Sequence, residues 1–247
     1  MKKYLVILTG WAVSDFVWKP LTSLLEKHYE IILINWDNVL STDCFVKKVS
    51  SILTEKKIKN FSLLGWSLGS LIAIETAISF YSQIENLILI SGTLKFVQDE
   101  ITTYKIGWRR EVLDKMIDKL NTNMNETLNK FFKNLFSHSE LILGYYKLFN
   151  NEVINSKTLL DSTSLINGLV YLKDMDFRKS TYNLNMPVLL VHGDKDIICP
   201  YESSEYIHNI IKSSHLVKLK EKGHMPFYTS YRECYEIIIK HIEENDI

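Results

Sequence analysis

A serine between two glycines, a pair of aspartates and a loop histidine follow one another along this chain in the order that nucleophilic catalysis can use. Ser67 sits in Gly65-Trp66-Ser67-Leu68-Gly69. An apolar run from Phe61 to Leu64 enters the pentapeptide, and a helical pattern with Leu68, Leu71, Ile72 and Ile74 leaves it. That pattern predicts strand, tight turn and helix with the serine at the tip, the arrangement called a nucleophile elbow. The flanking positions must be small because strand and helix approach closely there, and the serine backbone is strained. The turn also sets Ser67 at a helix N-terminus, where free N–H groups and the positive dipole end favour a developing anion.

A serine hydroxyl needs a base within hydrogen-bond reach, and a histidine needs a carboxylate to fix its tautomer and steady its charged form. Of the seven histidines, His224 alone lies in a glycine-preceded loop after the last expected strand, in Glu221-Lys222-Gly223-His224-Met225-Pro226-Phe227. His28, His138, His208 and His241 fall on expected helices, His215 starts a strand and His192 ends one. For the acid, Gly193-Asp194-Lys195-Asp196-Ile197-Ile198-Cys199-Pro200 offers two aspartates. The spacing Gly-x-x-Asp followed by apolar residues and proline favours Asp196 and leaves Asp194 a turn-capping role. Asp194 stays open as the alternative acid. The backbone N–H groups of Leu68 and of Trp11, in the loop after the first strand, are the expected oxyanion donors. Trp11 and Trp66 are expected to wall the pocket.

The elements that must position these residues alternate. Apolar runs at Tyr4–Thr9, Ile31–Ile34, Phe61–Leu64, Asn86–Ser91 and Pro187–Gly193 suit strands buried on both faces. His215–Lys220 alternates as an outer strand does. Helical periodicity separates them at Phe16–His28, Thr42–Lys56, Leu68–Ser82, Tyr201–Lys212 and Tyr228–Glu244. This is an α/β chain with a mostly parallel central sheet and helices on both faces. Between residues 93 and 180 the alternation stops and only helical patterns run, at Trp108–Leu120, Asn125–Phe136, Leu141–Phe149 and Ser156–Leu172. Residues 1–92 and 181–247 therefore read as a core and residues 93–180 as a helical cap.

Composition narrows the function. The 247 residues carry 29 Lys+Arg against 29 Asp+Glu, which gives no global electrostatic case for nucleic acid or an anionic membrane. No apolar run approaches the ~20 residues that span a bilayer. The apolar part of the N-terminus is short and lacks a small-residue cleavage site, so it reads as a first strand rather than a signal peptide. Cys44, Cys199 and Cys234 form no metal-ligand or disulfide pattern and are expected as free thiols in a reducing cytoplasm. A monomer needing no metal or organic cofactor is the expectation.

Over its whole length the chain resembles the α/β-hydrolases, and within them the carboxylesterases of biotin synthesis that act on pimeloyl-acyl-carrier-protein methyl ester. Four places carry the likeness: Gly10-Trp11, the Gly65–Gly69 elbow, Asp196 with His224-Met225-Pro226-Phe227, and the segment Glu126–Phe132. Thr9 departs from the family's histidine before the oxyanion glycine, and Asn35–Val39 lacks its Pro-Gly-x-Gly turn. The resemblance implies a serine carboxylesterase acting through Ser67, His224 and Asp196, with Phe131 against the acyl chain. It implies also an acidic acyl carrier protein as partner. Residues 105–133 hold seven Lys/Arg against four Asp/Glu, and Lys130, Arg109 and Arg110 are the candidate docking cations. A thioesterase or a related small-ester hydrolase or lyase is the alternative within the fold. A hydrolase-fold binding protein with vestigial catalysis is the alternative outside enzymology.

Overall fold

A computed structural model of the chain describes residues 3–156, 161–181 and 184–245. Six strands are present among them: β1 (Lys3–Leu8), β2 (Tyr29–Ile34), β3 (Phe61–Trp66), β4 (Ile84–Ile90), β5 (Val188–Gly193) and β6 (Ser214–Leu219). They form one sheet in the order β2-β1-β3-β4-β5-β6, and every neighbouring pair is parallel. Helices α1 (Lys19–Leu25), α2 (Cys44–Glu55) and α3 (Leu68–Ser79) link the first four strands. Strand order runs one way from β1 to β2 and the other way from β2 through β3 to β6. Right-handed crossovers then put α1 on one face and α2 and α3 on the other. Ligands of such sheets bind where the order reverses, at the carboxyl ends of the strands flanking that point, here β1 and β3.

The strands are apolar throughout because both faces are covered: all six residues of β3 and all six of β5 are buried. Helix α3 is buried almost all round, from Leu68 to Ala77, with only Glu75 half-buried. A helix this apolar on every side needs cover beyond the sheet.

Part of that cover comes from the chain between β4 and β5. It holds α4 (Arg110–Asn134), α5 (His138–Ile142), α6 (Tyr145–Ser156) and α7 (Ser162–Asp174). Helix α7 packs on α4 and on α3. Its seat is polar as well as apolar: the Trp11 indole N–H donates to Leu165 O at 2.8 Å, Val39 N–H to Ser164 Oγ at 2.8 Å, and the Tyr171 hydroxyl to Glu75. The stem of the insertion is clasped by charge. Arg178 reaches Asp99 at 2.8 Å and Asp176 at 2.7 Å, and Lys95 meets Asp176 at 3.0 Å. After β5 come α8 (Glu202–Ile210), β6, α9 (Pro226–Thr229) and α10 (Tyr231–Asn245), which packs against α1.

Local chemistry shifts several boundaries from those expected. Asp15–Trp18 forms a 3₁₀ turn, and the helix proper begins at Lys19, with Pro20 in its first turn. The two expected helices across residues 108–136 meet at a kink, where Asn123 leaves helical geometry (φ −150°, ψ 71°). Its side chain accepts from Glu126 N–H at 3.3 Å and caps the second half. The expected helix Leu141–Phe149 is instead α5 and α6, broken at Gly144 with φ 84°. The expected helix Ser156–Leu172 crosses residues 157–160, which lie outside the described residues. Helix α7 starts at Ser162, where Asp161 accepts from Ser164 N–H at 2.7 Å. The expected strand-free insertion also holds isolated β-bridges, among them Lys95–Asp176 and Val97–Trp108. The final helix expected from Tyr228 is split into α9 and α10. No helix among the described residues is long and apolar enough to cross a membrane.

Candidate active site

Ser67 closes the turn between β3 and α3 with φ 55° and ψ −118°. A non-glycine residue held there costs about 1–3 kcal/mol. Its surroundings over-determine it. Ser67 N–H donates to Ile90 O at 3.2 Å, and Ser67 O accepts from Ser70 N–H at 2.9 Å and Ser70 Oγ at 2.6 Å. The glycines on either side are steric necessities. A Cβ on Gly69 would lie 2.2 Å from Leu8 O, and one on Gly65 would lie 2.4 Å from Gly69 O.

Three of the sequence-predicted residues, far apart in the chain, meet here in one hydrogen-bonded chain. His224 Nε2 is 2.8 Å from Ser67 Oγ, and His224 Nδ1 is 2.7 Å from Asp196 Oδ2. His224 and Asp196 are buried, and Ser67 keeps 8% of its surface open. With the proton on Nδ1 facing the carboxylate, Nε2 is free to accept from the serine hydroxyl. Asp196 Oδ1 accepts from the Ile198 and Cys199 N–H groups, both at 2.9 Å. Burial alone would push this carboxyl up, but the facing His224 and His192 rings outweigh it and hold Asp196 well below the usual range. Asp194 is not part of this chain. It accepts from Glu221 N–H at 2.6 Å, a turn-capping position.

Leu68 N–H opens α3, and Trp11 follows Gly10 in the loop after β1. Neither N–H has a hydrogen-bond acceptor among the described residues. The Trp11 ring meets Phe131 of α4 edge-on at 4.7 Å. Ser67, Trp11 and Phe131 border a narrow slot of about 10 Å³ that runs between Leu113, Met116 and Leu169. The slot shares Trp108, Met116 and Phe131 with an open groove of about 430 Å³ at the α4 kink, which Lys119 and Lys130 also line. A separate cleft of about 520 Å³ lies against Gly10–Phe16, Asn35–Asn38 and Leu68.

Trp66 does not wall a pocket, which corrects the expectation for it. The ring is fully buried against Trp18 at 6.2 Å and Phe227 at 4.9 Å, and its N–H donates to His224 O at 2.8 Å. Because β3 is buried on both faces, this side chain becomes a prop for the histidine loop. The three candidate docking cations differ in their pairing. Arg110 is held by Asp174 at 2.5 Å, Lys130 pairs with Glu126 one turn away, and Arg109 is exposed at the start of α4.

Sequence reasoning passed over three supports. Trp36 donates its indole N–H to Thr9 O at 2.7 Å and so braces the Gly10–Trp11 loop. Glu140, 1% exposed, accepts from Ser137 N–H at 2.8 Å, from Gly223 N–H at 3.0 Å and from the Thr229 hydroxyl. With His224 N–H donating to Leu135 O at 2.8 Å, it ties the histidine loop to the insertion. Ser137-x-x-Glu140 was legible as a capping box, though its tertiary partners were not. His192, at a strand end in the sequence, has its Nε2 3.2 Å from Asp196 Oδ2.

The chain belongs to the α/β hydrolase fold family, whose model matches residues 3–231. Among proteins it is similar to, the pimeloyl-[acyl-carrier protein] methyl ester esterase of Aliivibrio fischeri (strain MJ11) is 26% identical over 231 residues, covering 90% of this chain and 87% of that one. The esterase of the same name from Nitrosomonas europaea is 24% identical, over 95% of this chain and 94% of its own. An esterase from Exiguobacterium antarcticum has the same fold, with a TM-score of 0.84 and 22% identity across 98% of this chain and 92% of that one. The expected fold and family are thus borne out.

Proposed function

We propose that this ester hydrolase is a serine carboxylesterase in which Ser67 is the nucleophile, His224 the base and Asp196 the acid, and that its substrate is pimeloyl-acyl-carrier-protein methyl ester. The observation that carries the mechanism is the Ser67–His224–Asp196 chain at 2.8 and 2.7 Å, set on a turn with positive φ beside an apolar slot. Ser67 Oγ attacks the ester carbonyl as its proton passes to His224 Nε2. The N–H groups of Trp11 and Leu68 hold the oxyanion, and each is worth roughly a hundred- to a thousandfold in rate. The carbon–methoxy bond breaks, methanol leaves with the proton from His224, and the acyl group stays on Ser67. Water then attacks with His224 as base, and the proton returns to Ser67 Oγ as the free acid departs. None of these steps calls for a metal or organic cofactor.

The substrate assignment is supported by the names of the relatives and by the slot. Its lining of Phe131, Leu113, Met116 and Leu169 suits an acyl chain, which enters only as these side chains give way. Residues 93–180 act as the cap in this scheme. Lys119 and Lys130 flank the groove that continues the slot, where an acidic carrier would be steered. The exposed Lys130–Glu126 pair is weak enough to yield to such a partner.

The test is twofold. Ser67→Ala should abolish hydrolysis of short p-nitrophenyl esters and labelling by a fluorophosphonate probe, and native rates in that variant would sink the mechanism. The wild-type gene should restore growth without biotin to a strain lacking its own esterase. Failure with well-expressed, labelled protein would move the substrate to a thioester.

A further inference from the structure

His192 is a buried histidine that the mechanism does not use. It is the penultimate residue of β5, 0% exposed, and both ring nitrogens are engaged. Nε2 lies 2.7 Å from Cys199 O, which can only accept, so this nitrogen carries the hydrogen. Nδ1 lies 2.6 Å from Ser204 Oγ of α8, whose hydroxyl therefore donates to it. The Nε2–H fixed in this way also has Asp196 Oδ2 as a longer contact at 3.2 Å. That is the oxygen facing His224 Nδ1.

We propose that His192, held in one tautomer by Ser204, is a positioning residue that shares Asp196 Oδ2 with His224 and sets how strongly the carboxylate draws on the His224 ring. The proposal rests on the reading of Ser67, His224 and Asp196 as the reacting set. Asp196 thus has backbone donors on one oxygen and two imidazoles on the other. The His192 N–H dipole takes up part of the charge on Oδ2 and leaves less for the His224 imidazolium that forms during the reaction. It also fixes the carboxylate plane, because Cys199 supplies N–H to Oδ1 and C=O to His192.

The titratable groups facing Asp196 are His192 from β5, His224 from the loop after β6, and the Cys199 thiol of its own loop, which burial pushes up and keeps neutral. His192 also meets the Tyr201 ring edge-on at 5.8 Å, and burial raises that phenol above its usual range. Burial keeps both Cys199 and Tyr201 protonated near neutral pH.

The experiment is the pH profile of kcat/KM on a p-nitrophenyl ester for wild type, His192→Phe, His192→Gln and Ser204→Ala. Phe keeps a ring without an N–H, whereas Gln can return a donor to the Nε2 position. Losing the N–H leaves more negative charge for His224, favours its protonated form and moves the acid limb to higher pH, by roughly half to one unit in His192→Phe. His192→Gln should bring the limb back toward wild type, and Ser204→Ala should shift it part-way in the same direction. Should His192→Phe fail to fold, the Gln and Ala variants carry the comparison. A limb that stays in place, or moves to lower pH, in folded variants overturns the proposal even where kcat falls. Absence of fluorophosphonate labelling in wild type would instead overturn the reading of Ser67 on which it rests.

Discussion

Glu140 is the most revealing residue to perturb, because one carboxylate joins the insertion to the loop that carries His224. It is buried with no cation against it among the described residues, and its stability comes from three donors: Ser137 N–H, Gly223 N–H and the Thr229 hydroxyl. Hydrogen bonds to a charged group contribute about 1.5–3 kcal/mol each, so the three bound the loss on Glu140→Ala at roughly 4–9 kcal/mol. Water entering the space offsets part of this, and a fall of at least ~3 kcal/mol is expected against a total stability of about 5–15 kcal/mol. For a chain of this size that corresponds to a drop in Tm of roughly 6–12 °C. Glu140→Gln keeps an acceptor for both N–H groups and offers its amide to Thr229 Oγ, so it should lose only about 1 kcal/mol. The assay pairs urea unfolding with kcat on a p-nitrophenyl ester. Glu140→Ala should lose kcat at temperatures where it is still folded, because Gly223 N–H is released one residue before His224. An alanine variant with unchanged unfolding midpoint and full kcat would refute the idea that this carboxylate holds the loop.

Two other outcomes follow from packing and charge. Phe131→Ala removes the ring that meets Trp11 at 4.7 Å and opens the slot, so kcat/KM should move toward bulkier or longer acyl esters, checked across a p-nitrophenyl ester series, at a stability cost of about 3–5 kcal/mol. The Thr102 hydroxyl and Arg178 hold Asp99 down to about 2, and Asp176, although burial pushes it up, is held lower still by Arg178 and Lys95. A carboxylate depressed in the fold contributes stability above its unfolded value near 3.9 and loses it as pH falls through the folded value. Arg178→Gln should therefore lower the urea midpoint at pH 7, and its deficit against wild type should shrink between about pH 4 and pH 2.

The sequence alone determined whatever depends on periodicity and local spacing. Continuous apolar runs such as Leu5–Leu8 and Leu87–Ile90 marked strands covered on both faces, and the glycines around Ser67 marked the close approach that the 2.2 Å contact to Leu8 O makes obligatory. The Gly-x-x-Asp spacing singled out the aspartate that faces His224, and the separate helical stripes at Trp108–Leu120 and Asn125–Phe136 left between them the point where α4 bends at Asn123. Tertiary structure alone decided the partners of side chains whose types carry no local signal. Trp66 looked like a pocket wall because tryptophans line pockets, but β3 is buried on both faces and its ring had nowhere to go except under the histidine loop. His192 looked like the end of a strand, and only the return of the next loop brought Asp196 within 3.2 Å of it. Glu140 has capping-box spacing from Ser137, and its role beyond that depends on residues 83 and 89 positions away. A pattern along the chain records which face a residue turns inward. It holds no record of which distant donor or acceptor waits there, because that is fixed only when the sheet, the insertion and the last loops close on one another.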